Sequence, residues 1–227
     1  MTSVAYPNRR HLLGVAAALP LMALGACAGS LGSFSPEEGV RRLLTLSSQR
    51  AFARLLQPGG FYDDQLTRIA PPGQLTGAST GVLGAVLRTN TVRSRIAIAL
   101  NDVATDAADR ATPVVTDAIS RMSYADALAL ARGGPTAATD LLQREVGGAV
   151  VDALLPGISQ GLTSDVAEIL AAVASSRTGV DYVGIARLVA DQAAASIFRA
   201  IGREEAAIRA DPRATRDPVL IALLSVR

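Results

Sequence analysis

The sequence predicts an all-α protein, a single compact multi-helix domain that follows a cleaved export signal and a short tether. From residue 35 onward, apolar residues recur three and four positions apart through most of the chain, which is the spacing of amphipathic helices. No stretch alternates apolar and polar residues at period two, so no sheet is expected. The 227 residues are 49% hydrophobic and carry 22 basic against 20 acidic side chains, a balance typical of a globular domain with a sizeable core.

Residues 1–26 have the order of a secretory signal. A polar start ends in Arg9 and Arg10, and the uncharged segment 12–26 that follows closes on small residues and is too short to span a bilayer comfortably. Arg9-Arg10 also resembles a twin-arginine signal. A chain without Lys must use Arg for its positive start, however, so both export routes remain open.

Leu24-Gly25-Ala26-Cys27 resembles a bacterial lipobox. The resemblance implies cleavage before Cys27, a diacylglycerol on its sulfur and a third acyl chain on the new amino group. Ordinary cleavage after Ala28 is the alternative, because Ala26-Cys27-Ala28 also fits a signal-peptidase site. With Ala rather than Asp at position 28, we expect the periplasmic face of the outer membrane, or a soluble periplasmic protein if no lipid is attached.

Residues 27–34 form the predicted tether, and the helical domain is expected to occupy residues 35–227. Ser35, Pro36 and Glu38 form a capping pattern that begins the first helix, and the Pro-Gly-Gly sequence at 58–60 ends it. Its predicted buried stripe is Val40, Leu43, Leu44, Ser47, Ala51 and Leu55. The Pro- and Gly-rich residues 61–84 predict a flexible connector into a small helix, with a membrane-touching loop as the alternative.

From residue 91 the pattern is helical nearly to the end of the chain. The first of these helices is predicted to bury Val92, Ile96, Leu100, Val103, Ala107 and Ala111. Pro113 is expected to start or kink the next one, which runs to Met122, and a capping box at 123–126 predicts a short helix that ends at Gly133-Gly134-Pro135. Further helices are predicted over 136–155, stopped by Pro156-Gly157; over 163–175; over 182–210, capped by Asp181; and after the cap Asp217-Pro218.

The residue types that are missing restrict the chemistry of the mature chain. There is no Lys, the single His (His11) lies in the signal, and the single Cys (Cys27) is expected to carry lipid. A Ser-His-Asp or Cys-His relay, a Lys Schiff base and a His or Cys zinc site are therefore excluded, and no cofactor or metal is expected. Removing Arg9 and Arg10 with the signal leaves 20 Arg against 20 acidic residues, so no nucleic-acid surface is expected either.

Two separated blocks of sequence resemble a known family. The central block contains Asp117-Ala118-Ile119, residues 122–127, Gly133-Gly134 and Ala137-Ala138-Thr139; the C-terminal block contains Asp181-Tyr182-Val183, Ile197-Phe198 and residues 201–212. Over residues 37–224 the chain is similar to the exported bacterial proteins grouped as domain of unknown function 4197. The resemblance implies an exported helical protein without an assigned activity. The candidate functional or structural polar residues are Asn101, Asp117, Asp126, Thr139, Tyr182, Glu204, Glu205 and Arg209.

Acidic residues could serve a function at three places. Asp102, Asp106 and Asp109 share a helix face, and Asp63-Asp64 follow the first helix, but both groups are interpreted as solvated carboxylates rather than cation sites. Glu204 and Glu205 lie on either side of the stripe predicted for the last long helix, formed by Val183, Ala186, Ala190, Ala194, Ile197, Ile201 and Ile208.

At least one of these two glutamates should therefore be partly buried, and a buried carboxylate requires a partner. Glu205 can reach Arg209 one turn on, whereas Glu204 needs an Arg from another helix or a ligand. An ion pair that fixes helix packing is the preferred interpretation, and a functional carboxylate is the alternative.

Three functional hypotheses follow. The first is a non-enzymatic, lipid-anchored envelope protein that acts through protein contacts near the membrane. The second is a periplasmic carrier or chaperone for an apolar ligand, with the glycine-rich residues 73–87 as a lid. The third is a hydrolase that relies on carboxylates alone. The sequence indicates neither a partner nor an oligomeric state.

Overall fold

The computed structural model describes residues 35–73, 89–167 and 181–225. Within these residues the fold is all-α and contains no strand, as predicted. The α-helices are α1 (Pro36–Leu55), α2 (Asn90–Ala108), α3 (Ala111–Arg121), α4 (Ala127–Arg132), α5 (Ala137–Gly161), α6 (Tyr182–Ala210) and α7 (Pro218–Ser225). A π-helical turn, Leu162–Val166, continues α5, and a 3-10 turn, Pro212–Thr215, precedes α7.

The core is built around α6, which packs mainly against α5 and α1. Ile185, Val189, Ile197 and Ile201 of α6 are buried, together with the whole predicted stripe of α1. A smaller apolar cluster of Leu43, Ile208 and Leu220 joins α1, α6 and α7. None of the helices in the described ranges is long and apolar enough to cross a membrane.

Local capping signals placed several helices correctly. Ser35 Oγ accepts a hydrogen bond from the Glu38 amide at 3.2 Å, and Asp217 Oδ1 accepts one from the Val219 amide at 2.8 Å. The predicted start at Tyr182 and end at Ala210 of α6 are confirmed. Glu38 binds Arg41 and Arg42 in this structure, so its carboxylate forms ion pairs one turn on within α1.

The predicted capping box at 123–126 is wrong. The short helix begins later, at Ala127, and its N-cap Asp126 makes no side-chain capping bond. Tyr124 belongs to the preceding turn, where it is buried and donates a hydrogen bond from its hydroxyl to the Ile119 carbonyl at 2.9 Å. The buried ring and its hydrogen bond attach the connection between α3 and α4 to the core.

The predicted stop at Pro156-Gly157 is also wrong, because α5 runs through both residues to Gly161. Gly157 and Gly161 lie directly against α2: a Cβ on Gly161 would be 2.5 Å from Val103 Cγ2. Packing of α5 on α2 therefore compensates for the backbone hydrogen bond that proline cannot make.

Two smaller corrections are that Ala111 begins α3 rather than ending α2, and that Val183 is 82% exposed instead of buried.

Several predictions fall on residues that the structure does not describe. These are the signal and tether with Arg9, Arg10 and Cys27, the helix expected after residue 84, most of the glycine-rich segment 73–87, and the helix predicted over 163–175 beyond residue 167.

Candidate functional site

The adjacent glutamates near the end of α6 are both buried, with exposures of 3% for Glu204 and 0% for Glu205. α6 is fixed at its start by Asp181, whose Oδ1 accepts a hydrogen bond from the Gly184 amide at 2.9 Å. Ile201 and Ile208 lie on the buried face of α6, and Glu204 and Glu205, three or four residues from each of them, share that face. The expectation that at least one glutamate is buried is confirmed for both.

Glu205 acts as a cap for α5, a helix that lies elsewhere in the chain. Its Oε1 accepts a hydrogen bond from the Ala138 amide at 3.1 Å, and its Oε2 accepts from the Thr139 amide at 2.7 Å and the Thr139 hydroxyl at 2.6 Å. These amides belong to the first turn of α5, where helical N–H groups have no partner within the helix. Thr136, the residue at the cap position, makes no such bond itself. Glu205 therefore supplies the missing cap and places negative charge at a helix N-terminus, where it is favourable.

Arg209 extends this network to the end of α4. It pairs with Glu205 Oε1 at 2.7 Å, as predicted, and donates hydrogen bonds to the carbonyls of Leu130 at 2.9 Å and Ala131 at 2.7 Å. Those carbonyls lie in the last turn of α4, where helical carbonyls lack partners further along the helix. The Gly133 amide also donates to the Leu130 carbonyl, at 3.2 Å. The Glu205–Arg209 ion pair of α6 thus caps both the C-terminus of α4 and the N-terminus of α5. With both oxygens occupied and no exposed surface, the Glu205 carboxylate is not open to a substrate.

Glu204 forms an ion pair with an Arg of another helix, which is one of the two partners expected from the sequence. Arg54, in the last turn of α1, places its guanidinium 2.7 Å from Glu204 Oε1. The Arg54 side chain is 62% exposed, so this pair connects the interior to the surface. Both glutamates therefore bind arginines that hold helices together, which agrees with the preferred interpretation of an ion pair in helix packing.

A second ion pair, Asp64–Arg203, lies beside the first. It attaches the turn that follows α1 to α6. The hydrogen bond from Arg203 and a further one from the Leu66 amide hold the pKa of the Asp64 carboxyl below its usual range. Arg199, one turn earlier on α6, donates a hydrogen bond to the Leu66 carbonyl at 2.8 Å. Asp64 is therefore a structural carboxylate in an ion pair rather than the solvated group expected from the sequence, whereas Asp63 is exposed.

An open pocket of about 340 Å³ lies between α5 and α6, next to the Glu205 network. Its walls combine apolar side chains of Leu66 and Phe198 with the guanidinium groups of Arg199 and Arg203. The Nε of Arg203 is buried there without a hydrogen-bond partner. Asp140, which accepts a hydrogen bond from the Thr136 hydroxyl, contributes the opposite charge. Such a lining suits a small, partly apolar molecule with a polar end.

A second open pocket, of about 250 Å³, lies between α2 and the end of α5. Its polar lining residues are Asp106, Arg110, Gln160 and Ser164. The pocket adjoins the π-helical turn after α5, and π-helical turns are frequent near functional sites. Both pockets open to the surface.

The other predicted polar residues are not brought together with the glutamates. Asn101 is buried and binds the backbone of Ile69: its Oδ1 accepts a hydrogen bond from the Ile69 amide at 2.9 Å, and its Nδ2 donates one to the Ile69 carbonyl at 3.0 Å. Asp117 pairs with Arg121 on the exposed face of α3, and Asp126 is exposed at the start of α4. Tyr182 is half-buried at the start of α6. Only Thr139, Glu205 and Arg209 form one connected group.

The acidic face of α2 is exposed, as expected for solvated carboxylates. Asp102, Asp106 and Asp109 all lie in water, and desolvation followed by the neighbouring charge of Asp106 raises the pKa of Asp102. Among the described residues, no three acidic side chains are close enough to hold a metal ion.

Sequence reasoning missed the identity of several partners. Arg54, the partner of Glu204, was not predicted, although it lies near the predicted end of the first helix. Arg199 and Arg203, which line the pocket, were not predicted either, although they lie one turn apart on α6. Their spacing of four residues places Arg199 and Arg203 on one face, which was a usable signal. No local signal marked Ala138 and Thr139 as the groups that Glu205 binds, because 66 residues separate Thr139 from Glu205.

Comparison with known proteins identifies the family. The model of the family described as "Protein of unknown function (DUF4197)" matches residues 30–224, and the chain belongs to that family. This confirms the resemblance found in the two sequence blocks. No curated protein and no solved structure matches the chain.

Proposed function

We propose that this chain is a non-enzymatic, lipid-anchored protein of the bacterial cell envelope that acts through protein contacts near the membrane. The observation that carries the proposal is that both buried glutamates bind groups that hold helices together. Glu205 is saturated by α5 and Arg209, and Glu204 is paired with Arg54, so both carboxylates serve helix packing. A mature chain without His, Lys or a free thiol has few other groups for acid–base or nucleophilic work.

In this proposal the domain is exported, and Cys27 carries the acyl chains that hold it on the periplasmic face of the outer membrane. Two or three acyl chains give stable anchoring, whereas a single chain gives only reversible binding. The connected helix ends at α4, α5 and α6 would provide a rigid body that presents its surface to an envelope protein.

Native mass spectrometry of the protein, extracted gently from its own membranes, tests the proposal. We expect a chain that begins at Cys27 and carries acyl chains, alone or with protein partners. An unmodified chain that begins after Ala28 would contradict the anchor. Crosslinking in intact cells, followed by identification of the linked proteins, then tests the contact role, and an acylated protein that crosslinks to nothing would contradict it.

A carrier for a small ligand is the second candidate, and the pocket at Phe198, Arg199 and Arg203 is the observation that favours it. At about 340 Å³ the pocket is near the lower end of the volumes of ligand sites in proteins. A reproducible small mass bound to the extracted protein, lost in an Arg199→Ala variant, would make this the leading function.

A carboxylate-only hydrolase is the weakest of the three hypotheses. Glycosidase-type chemistry needs two carboxyls that flank a substrate cleft, and Glu205 faces a helix terminus instead. Loss of the cellular phenotype in Glu204→Gln at normal protein abundance would nevertheless revive it, while a parallel fall in abundance would identify Glu204 as structural.

A further inference from the structure

The C-terminal helix α7 exposes apolar residues at one end of the domain. Its sequence, PVLIALLS, contains no charged residue. Val219 and Leu220 are buried against the domain, and Leu224 packs against the cluster of Leu43, Ile208 and Leu220, whereas Ala222 is exposed and Ile221 is half-buried. A helix of eight residues is about 12 Å long, so it can lie on a bilayer but not cross one.

The neighbouring helix α4 adds to this surface. It contacts both α7 and α1, and its Leu128 is 51% exposed. We call Leu128, Ile221 and Ala222, the apolar residues of α4 and α7 that are exposed or half-buried and not packed into the Leu43, Ile208 and Leu220 cluster, the apolar end surface.

The polypeptide enters the domain beside this surface. Gly39, in the first turns of α1, lies so close to α7 that a Cβ there would be 2.8 Å from Leu223 Cδ2. Arg42 of α1 also pairs with Asp217, the cap of α7, at 3.3 Å. Ser35, where the chain enters α1, is therefore only a turn of helix away from the contact with α7.

The length of chain between Cys27 and Ser35 limits how far this end can move from an anchor. Eight residues of fully extended chain reach at most about 28 Å. Acyl chains on Cys27 would thus hold the entry point of the domain, and α7 beside it, within that distance of the lipid headgroups.

We infer that the apolar end surface rests on the lipid bilayer, with α7 lying in the headgroup region and Leu128 beside it. This inference deepens the proposed function and depends on its lipid anchor. It also places the N-terminal end of α6 far from the contact surface. Residue 183 lies about 38 Å along the helix axis from Ile208, which packs against Leu220 of α7.

Charge contributes little to this contact. Exposed charged residues near this end balance in number, with Arg132, Arg213 and Arg216 against Glu37, Asp126 and Asp211. We therefore expect the contact to depend on apolar burial and on the anchor, and to be the same on zwitterionic and anionic lipid.

Site-specific fluorescence tests the inference in the acylated mature protein. Cys27 is the only cysteine, so an acylated protein has no free thiol, and one introduced cysteine takes a thiol-reactive fluorophore alone. The variants are Ala222→Cys and Leu128→Cys on the proposed contact surface, with Val183→Cys, an equally apolar and 82% exposed position, as the control. Each is reconstituted in phosphatidylcholine vesicles with and without lipids that carry a nitroxide quencher near the headgroup.

We expect the nitroxide lipids to cause a loss of fluorescence at residues 128 and 222 and none at residue 183. Equal quenching at all three positions, or none, in a protein that is acylated would overturn the inference and leave the proposed anchor intact. Fluorophores at 128 and 222 that are shielded from water but not quenched would overturn it in favour of a protein partner or second copy. Labelling of the unsubstituted protein would show a free Cys27, and so would contradict the anchor itself.

Discussion

At the residue scale, the Glu205–Arg209 pair is the most constrained polar feature of the described fold. Each oxygen of Glu205 accepts from at least two donors, and the Arg209 side chain is only 10% exposed. Breaking a buried pair of this kind costs more than an intact pair contributes, because the remaining charge is left buried without its partner.

We expect Glu205→Gln to lower the free energy of unfolding by about 3–5 kcal/mol. The amide nitrogen of Gln would face N–H donors on whichever side it occupied, since the amides of Ala138 and Thr139 and the guanidinium of Arg209 surround the group. Urea unfolding of the variant and the parent measures the change.

Asp117→Asn is the matched control for that experiment. Asp117 also pairs with an Arg four residues on, Arg121, but their side chains are 63% and 77% exposed. The expected change is within about 0.5 kcal/mol. If the two substitutions lowered stability equally, burial would not be what makes the Glu205 pair important.

Tyr124 predicts a loss of stability in alkali. Burial raises the pKa of Tyr124 from 10.0 to about 12, so the fold favours the neutral phenol. The resulting stability is fully present below pH 10, the pKa of an unfolded tyrosine, and is lost as pH rises toward 12; a shift of this size corresponds to about 2–3 kcal/mol. The chain has no Lys to titrate in the same range.

Urea midpoints measured between pH 9 and about 11.5, below the titration range of arginine, check this expectation. Tyr124→Phe should lose about 1 kcal/mol at neutral pH through the missing bond to Ile119. Above pH 10 it should decline less than the parent. An equally steep decline in both proteins would assign the alkaline loss to another group.

At the element scale, the close contact of α5 with α2 lets α5 continue beyond Pro156. The contact relies on glycine because side chains of α2 and of the residues just after it occupy the space that a Cβ would need. Gly157 lies under Ala107 and Arg110, and Gly161 lies against Val103.

Gly161→Ala is expected to destabilise the protein by about 1–3 kcal/mol, because the new Cβ would lie 2.5 Å and 2.7 Å from the two methyl groups of Val103. Gly148→Ala, on the same helix with no atom within 4 Å of its Cβ position, should instead add about 0.5–1 kcal/mol through helix propensity. Thermal unfolding compares the two. The double variant Gly161→Ala with Val103→Ala should lose less stability than the sum of the losses of the two single variants, because the new Cβ then has room. If the two losses simply added, a direct clash between residues 161 and 103 would be ruled out.

Elements that depend on local signals were the ones that could be predicted from sequence. Asp181 and Asp217 cap their helices through amides two or three residues away, so the starts of α6 and α7 needed no knowledge of the rest of the fold. The pairing of Glu205 with Arg209 is equally local.

The features that sequence could not supply depend on distant residues. Pro156 ends a helix in isolation, but packing against Val103 and Ala107 overrides that preference. Val183 fits the apolar stripe of α6 yet lies in its first turn, where the side chain extends into water. The cap that Glu205 provides for α5, and the Arg54 partner of Glu204, require the relative placement of three helices.

At the scale of the whole molecule, the unusual residue usage predicts an unusual pH profile. In the acylated mature form that we propose, the protein contains no His, no Lys and no free thiol, so no side chain has an ordinary pKa between about 5 and 9.5. The formal net charge of that form is zero, because 20 Arg and 20 acidic residues remain once Arg9 and Arg10 are removed.

The free energy of unfolding should therefore be constant between about pH 6 and pH 9 and fall only outside that range. On the acid side, the ion pairs with Arg203 and with Arg42 lower the pKa of Asp64 and of Glu38 in the folded state. Their contribution to the free energy of unfolding is present above the pKa of the unfolded carboxyls, about 4, and is lost as pH falls through the lower pKa values of the folded state.

Urea midpoints from pH 3 to pH 9 measure the profile, and Asp64→Asn should make the fall in stability on the acid side shallower. A midpoint that changes by more than the error between pH 6 and pH 9 would mean that a strongly perturbed carboxyl titrates there, which would reopen the case for a functional acid in this protein.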